Sequence, residues 1–530
     1  MNLVHVSAHP SCKSRVLRIG LAGVVLTCMF GITSAVARDI LGPVGNIAIE
    51  NPSMLAPESD VFGVAVATGD FNGDGVDDLA IADREHPNGV RVYLGKVAAV
   101  GAPFASKFQP AEKVIIPVTL GTGTFQSPAL AVGNFNSDTN DELVVGVPSD
   151  SFNGDSSGAV FVLDRASNGT WSTIFTIRQG GGFPGISDAD DHLGASLAVG
   201  DFGGDSSMDL AIGIPGEDLS PTIDAGAVIV VYANVTGLHA QGSEAFARGT
   251  NGLAGEAQVD EQFGLALAAG DFNDDGKDEL AIGIPGASCA GHPNAGSVLV
   301  LLGRADSGGL SAAGAAYWNQ ATPGIADACE DNDRFGTALA AGRFHQALFG
   351  EDASAALAIG APLETVNGVT AAGAVNVIYG GPSGLNAAGN LFLHDGVLPG
   401  GTGQASLFGA SLSAVHFGSR PDAPDSLIIG APFATQNGAS AGGAIWIVPG
   451  ATAALDSGSA TRLALTPAFA AAPAMAGDAF GTRMAVGDFN GDENPDLAIG
   501  IPGHDVDGAN NAGAVQVIYQ SEFVFVDDFE

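Results

Sequence analysis

The sequence predicts an all-β fold, a seven-bladed β-propeller of four-stranded antiparallel blades, and three observations predict it. First, a unit opening with Phe-Gly or a variant recurs seven times: Phe62-Gly63, Phe125-Gln126, Leu193-Gly194, Phe263-Gly264, Phe335-Gly336, Phe408-Gly409 and Phe480-Gly481. Second, the apolar runs inside each unit are short, rich in β-branched residues and bounded by Gly, Pro, Asn and Asp, the signature of strands rather than helices. Third, Gly makes up 77 of 530 residues with no collagen triplet, about twice the ordinary share, as many tight turns require. Each unit has room for about four strands, and radial repetition of four-stranded sheets is a known solution to exposed strand edges. A solenoid is the structural alternative. The ring is preferred because its closure needs an extra strand, and both chain ends offer one: Asn46-Ile47-Ala48-Ile49 and Phe523-Val524-Phe525-Val526.

The elements are justified in chain order. Lys13, Arg15 and Arg18 precede an apolar stretch from Ile19 to about Val36 that ends in Ala35-Val36-Ala37. A positive segment, an apolar segment and small residues at the cut read as a secretory signal peptide over residues 1–37. A membrane anchor is the alternative, since the stretch is near the minimum length for a span. Cys28 sits in a poor lipobox, with Thr27 where Gly or Ala is expected, and no second apolar run is long enough to span a bilayer. The mature chain is therefore expected to begin near Arg38 and to be secreted, periplasmic or on the cell surface. Its repeats fill residues 38–530. Two cysteines remain, Cys289 and Cys329, which in an oxidising compartment form a candidate disulfide or else stay as two separate thiols.

Within a unit the opening is followed by a short apolar alternation such as Leu265 to Ala269, then an acidic turn, then a run such as Leu280-Ala281-Ile282-Gly283-Ile284-Pro285. A polar, Gly-rich loop leads to a third run opened by Gly, as in Gly226 to Tyr232, Gly296 to Leu302, Gly373 to Tyr379, Gly443 to Val448 and Gly513 to Tyr519. A more variable segment completes the unit.

The acidic turns carry the chemistry. The turn from Asp70 places Asp70, Asn72, Asp74, Val76 and Asp78 at positions 1, 3, 5, 7 and 9. The turn from Asp271 matches it with Asp271, Asn273, Asp275, Lys277 and Glu279, and a third with Asp488, Asn490, Asp492, Asn494 and Asp496. Oxygen side chains at 1, 3, 5 and 9, with a backbone carbonyl at 7, can wrap a short loop around a hard cation. Calcium takes six to eight oxygens in flexible geometry, whereas magnesium demands a stricter octahedron. One such turn could equally be a solvated Asp-Asn-Gly hairpin; three in register favour calcium. Asn134, Asn136, Asp138, Asn140 and Glu142 form a weaker copy, and Asp201, Asp205 and Asp209 a further one with Gly203 at position 3. About three strong sites are expected, and up to five. Units five and six have lost the pattern, with Arg343-Phe344-His345 and His416-Phe417-Gly418, so there the turn must hold without metal.

Charge excludes other readings. With 58 acidic and 19 Lys or Arg residues the formal net charge is −39, the opposite of a nucleic-acid footprint and unsuited to anionic lipid. The hydrophobic fraction of 46% argues against wholesale disorder.

Phe-Gly, then Asp-x-Asn-x-Asp-Gly-x-x-Asp, then Gly-x-Pro, in fixed order, resembles the FG-GAP repeat of the integrin α-subunit propeller and of bacterial secreted relatives. Ile359-Gly360-Ala361-Pro362 and Ile429-Gly430-Ala431-Pro432 keep the Gly-Ala-Pro form. Phe125-Gln126, Leu193 and Ile81-Ala82-Asp83 depart from it. The resemblance implies calcium loops between the first two strands of a blade, on the lower face, and ligand binding on the opposite face. It also implies that Cys289 and Cys329 lie on that opposite face in adjacent blades, where a disulfide is plausible.

The expected function is an exported, calcium-stabilised module for adhesion or for binding an extracellular protein or glycan, with no nucleic-acid partner and a monomer as the expected state. The alternative is an extracellular hydrolase, or an accessory domain of one. No His-Glu-x-x-His motif or Gly-x-Ser-x-Gly elbow is present, and no catalytic residue is assigned. Asp188-Ala189-Asp190-Asp191-His192 could suggest metal chemistry but reads more simply as a solvated loop between blades. Trp171, Trp318 and Trp446 read as packing residues rather than a sugar platform.

Overall fold

The computed structural model describes residues 47–50, 61–82, 89–97, 108–109, 111–116, 127–152, 156–304, 308–345, 354–417, 423–465, 474–506 and 510–520. The signal-like segment, the Phe125-Gln126 opening, Asp83 and the Phe523–Val526 run lie outside these residues. Among the described residues there are seven four-stranded antiparallel sheets, one short ribbon (Ala233–Asn234 with Gly237–Leu238) and a single 3-10 turn. No helix among the described residues is long and apolar enough to cross a membrane.

Blade 4 shows the plan. Its strands are Ala266–Gly270, Glu279–Ile284, Ser297–Gly303 and Leu310–Trp318, paired in that order, with Ala266 opposite Gly283 and Leu280 opposite Leu301. The first strands of the seven blades begin at Ala65, Ala129, Ser196, Ala266, Ala338, Ser411 and Met484. Each contacts the next, and the last contacts the first, so the sheets form a closed ring. These inner strands are rich in Ala, Gly and Ser because they converge on the axis. A Cβ on Gly270 would lie 2.8 Å from the Ala341 Cβ of the next blade.

The ring closes through the N-terminal candidate. Ile47–Glu50 pairs antiparallel with Ala514–Ile518 and supplies the outer strand of blade 7, whose other three strands come from the far end of the chain.

Second strands are buried on both faces, for example throughout Glu279–Ile284 and Ala356–Ala361. Blades stack face to face, which is why these runs are continuously apolar instead of alternating.

The repeat's signature residues meet at the joints between blades. Gln262 has φ +56°, Gly264 has φ +90°, and Leu265 N donates to Gln262 O at 3.1 Å. Phe263-Gly264 is thus the corner of a tight turn whose second corner residue needs positive φ, as in type II turns, and glycine supplies it. Phe263 is fully buried and bridges to Gly226, which opens the third strand of blade 3. The Gly of Gly-x-Pro sits under the next blade's turn: a Cβ on Gly283 would lie 2.1 Å from Gly336 O. The same bridge recurs at Gly158–Leu193, Gly296–Phe335, Gly443–Phe480 and, across the closure, Phe62–Gly513.

Candidate metal centres and the two faces

Antiparallel order puts the connections between strands one and two on one face, here the lower. Connections between strands two and three, and between blades, lie on the upper face.

In blade 1 the lower-face loop runs from Asp70 to Asp78. Asp70 Oδ1 accepts Gly73 N at 2.7 Å and Asp74 N at 3.1 Å, and Oδ2 accepts Gly75 N at 2.7 Å. Asp74 Oδ1 accepts Val76 N at 3.0 Å. Asp78 is fully buried; it accepts Phe71 N at 3.0 Å, Gly95 N at 2.8 Å and the Asn72 amide at 3.2 Å. Position 6 is left-handed, with φ +82° at Gly75.

Blade 4 repeats the arrangement. Asp271 accepts Asp275 N and Gly276 N, Asp275 accepts Lys277 N, and buried Glu279 accepts Phe272 N at 2.8 Å and the Asn273 amide at 2.6 Å. Lys277 Nζ donates to Arg304 O, so at position 7 only its carbonyl is offered to the loop. Blade 7 does the same: Asp488 accepts Gly491 N and Glu493 N, Asp492 accepts Asn494 N, and Asp496 accepts Phe489 N and the Asn490 amide. Glu493 adopts φ +64° where the other two loops have Gly.

Blade 3 keeps the bonds at Asp201 and Asp205, with Ser206 at φ +70°, while Asp209 accepts Gly203 N at 3.2 Å and position 3 offers no side-chain donor. Blade 2 departs further. Asn134 turns its amide to Asp138 O at 2.8 Å, while its Oδ1 is buried without a partner. Asn136 and Phe135 N still bond to buried Glu142, and Asp138 accepts Asn140 N.

The position-9 carboxylates are costly where they sit. Burial, then neighbouring carboxylates, push Asp78, Glu279 and Asp496 up to about 8 and Glu142 and Asp209 up to about 7, against the opposing pull of backbone N–H bonds. The donor set is all oxygen, which fits a hard cation. In none of these loops do three carboxylates come within 4.8 Å of one another; among the described residues only Glu330, Asp333 and Glu364 do. The loop carboxylates are instead turned toward the loop's own N–H groups.

Position 8 holds a role that the 1-3-5-7-9 reading passed over. Asp141 Oδ2 accepts Asp70 N at 3.0 Å, Asp278 accepts Asp201 N at 2.9 Å, and Asp77 accepts Asp488 N at 2.7 Å. Each ties its loop to the start of the previous blade's loop. Between blades 5 and 6, where the metal pattern is lost, Asp425 accepts Arg343 N at 2.7 Å and also bonds His416 Nδ1 at 3.1 Å. Position 9 there is the small buried Ala356 or Ser426, so no buried acid needs compensation.

On the upper face Cys289 and Cys329 form a disulfide with Cα atoms 6.0 Å apart, joining the loop between strands two and three of blade 4 to the segment entering blade 5. The loop at Asp188–His192 is only partly solvated: Asp188 and Asp190 are exposed, but Asp191 is 1% exposed. Its carboxylate faces inward to accept Asp188 N at 2.6 Å. Equivalent acids two residues before the opening Phe are buried at Glu261, Asp333 and Asp478. The Asp/Glu-x-Phe-Gly spacing was available in the sequence as their signal. Trp446 is fully buried against Phe408. Trp171 is partly buried and donates to Glu112 Oε2 at 2.8 Å.

Comparison with known proteins agrees with this architecture. Residues 62–97, 193–231, 263–301 and 480–518 match the FG-GAP repeat. The chain is 30% identical over 230 residues to integrin alpha-PS2 of Drosophila melanogaster, covering 42% of this chain and 14% of that protein. It is 29% identical over 250 residues to integrin alpha-5 of Xenopus laevis, covering 46% and 20%. It is 31% identical over 193 residues to the phosphatidylinositol-glycan-specific phospholipase D of Homo sapiens, covering 36% and 21%. The matches thus span a minor part of each relative's length. The chain carries four matched FG-GAP repeats within a ring of seven blades, and in this part it is similar to integrin α subunits.

Proposed function

We propose that the chain is an exported calcium-binding β-propeller that serves as an adhesion or protein/glycan-binding module, with calcium structural in the hairpin loops of blades 1, 4 and 7, and in weaker form in blades 2 and 3. The observation that carries the binding role is the upper face. Phe152 is 63% exposed and Ile186 75% exposed, and Ile223, Val259, Val397 and Phe433 are exposed on connections of the same face. Exposed apolar side chains gathered on one face mark an interaction surface more often than scattered ones do. The curated integrin relatives support the adhesion reading, and the disulfide together with the signal-like segment supports export to an oxidising compartment.

Calcium would exchange some of the carboxylate-to-backbone bonds for metal bonds and neutralise the clustered acids. Extracellular calcium modules of this kind bind with Kd on the order of 0.1–1 mM. Two measurements test the reading. Thermal unfolding of the mature protein should show a saturable rise in Tm with calcium over a chelator control, because a ligand selective for the folded state stabilises it; no rise and no calcium by elemental analysis would remove the metal. A protein and glycan array should give saturable binding that Phe152→Ser with Ile186→Ser weakens at least tenfold; no binder in either class would remove the adhesion role.

A second reading is favoured by the matches to phosphatidylinositol-glycan-specific phospholipase D in four mammals. The propeller would then be an accessory domain of a hydrolase or carry a site on its upper face. A turnover screen against ester, phosphate and glycoside substrates separates the two.

A further inference from the structure

Four upper-face joints between blades share one slot, formed where the end of a fourth strand, the buried acid two residues before the opening residue and the loop after the next blade's second strand converge. At the joint of blades 3 and 4 this slot is charge-matched from within: Arg248 Nε lies 3.5 Å from Glu261 Oε1. At the joint of blades 6 and 7, His504 Nδ1 lies 3.1 Å from Asp478 Oδ1. At two other joints, among the described residues, the buried acid has no such cation partner. Between blades 4 and 5, Gln320 takes the place of Arg248 and Glu364 the place of His504, so Glu364 faces the buried Asp333. Glu330, Asp333 and Glu364 bring carboxylate oxygens within 4.8 Å of one another. Asp333 is 1% exposed and Glu364 0%; among the described residues no Lys or Arg forms an ion pair with any of the three, and the neighbouring His292 is paired with Asp331 instead.

An independent feature points to a missing occupant. Gln320 is 3% exposed and donates Nε2 to Glu364 Oε2 at 2.5 Å, yet its carbonyl Oε1 is buried with no hydrogen-bond partner, as is Glu364 Oε1. A buried acceptor left unsatisfied is expensive and rare. A looser counterpart stands between blades 2 and 3, where Asp188, Asp191 and Glu217 do not bring three carboxylate oxygens within 4.8 Å of one another. There Gln179 donates Nε2 to Glu217 Oε2 at 2.5 Å, Asp191 is 1% exposed, and Gln179 Oε1 is again buried and unpartnered. The backbone bond from Asp188 N to Asp191 Oδ2 matches that from Glu330 N to Asp333 Oδ2, both 2.6 Å.

We propose that the quartet between blades 4 and 5, Gln320–Glu330–Asp333–Glu364, is a second class of divalent-cation site, holding one calcium-like ion that substitutes for the side-chain cation found at the sister joints. Carboxylate and amide oxygens are hard ligands suited to calcium. The orphaned amide oxygen supplies a neutral ligand, and the acids supply the charge. The ion then joins two blades on the face opposite the hairpin loops. The Cys289–Cys329 disulfide pins the residue next to Glu330, so the quartet is held in place before an ion arrives.

The test counts ions on the full mature chain. Calcium per chain, measured by elemental analysis after equilibrium dialysis against calcium, should fall by one for Glu364→Gln, with the circular dichroism unchanged. Asp74→Asn, in a hairpin loop, should leave the quartet ion in place, so failure of the loop sites and failure of the quartet are separable. An unchanged count in folded Glu364→Gln overturns the proposal. So does an unchanged count with a higher Tm in chelator, the result expected if a shared proton satisfies the acids. If the variant does not fold, lanthanide-soaked crystals of the unaltered protein decide. An anomalous peak between Gln320 and Glu364 supports the site; peaks in the hairpin loops alone overturn it.

Discussion

Asp78, Glu279 and Asp496 each combine full burial with hydrogen bonds from backbone and Asn amide donors. Their carboxyls are raised well above the ordinary range, to about 8. A group raised in the folded state contributes stability that is fully present below its unfolded value near 4 and lost as pH rises through its folded value. Metal-free protein is therefore expected to lose Tm steadily between about pH 5 and pH 8. Millimolar calcium should flatten or reverse that slope, and a pH series of melting curves with chelator and with calcium reads both. Glu279→Gln removes one such acid: at pH 8 in chelator it should melt no lower than the parent, while its calcium-dependent rise shrinks. Asp78→Ala also strips the partner from Phe71 N and Gly95 N, and should cost about 2–3 kcal/mol, the range for hydrogen bonds to a charged group, read from urea midpoints in calcium.

Between strands, the blade joint is the unit that decides stability. Gly283 lies where a Cβ would meet Gly336 O at 2.1 Å, a backbone atom that cannot turn aside. Gly283→Ala is expected to cost about 1–3 kcal/mol, the usual penalty for overpacking, lowering the urea midpoint with little change in m. Phe335→Ala at the same joint should cost about 3–5 kcal/mol, the range for deleting a buried Phe, and more than an exposed Ile115→Ala on the outer edge. Position 8 adds a tie on the lower face. Asp425 holds blades 5 and 6 without metal by bonding Arg343 N and His416, so Asp425→Ala should lower Tm equally in chelator and in calcium. A calcium-dependent effect there would show that the assignment of these two blades as metal-free is wrong.

For the molecule as a whole, closure joins residues 464 to 470 positions apart, from Glu50–Ala514 to Ile47–Val517. Ile49 is 4% exposed in the core that also holds Phe62, Val515 and Val517. Ile49→Asp buries an unpaired charge at the seam. The expected result is a loss of 3 kcal/mol or more, on the order seen for uncompensated buried charges, with protease cleavage appearing first in blade 7. Uniform cleavage around the ring would mean that the seam is not the weak point.

The sequence by itself determined the repeat number, the strand runs and the place of the acidic turns, because each depends on residues within one unit. The 1-3-5-7-9 spacing named the loop residues for the same reason. The side chains whose partners lie in another unit were decided only by the tertiary structure. Asp77, Asp141 and Asp278 stood inside the quoted turns with no assigned role until the ring set them against the previous blade's loop. Asp191 read as solvated because its neighbours are polar, yet the next strand connection covers it and brings Glu217 beside it. The closing strand was a choice between two similar apolar runs, and only the seam at Ala514–Ile518 made the choice. Local periodicity encodes a blade, but the fit of one blade against the next sets which polar groups lose water and what must compensate them.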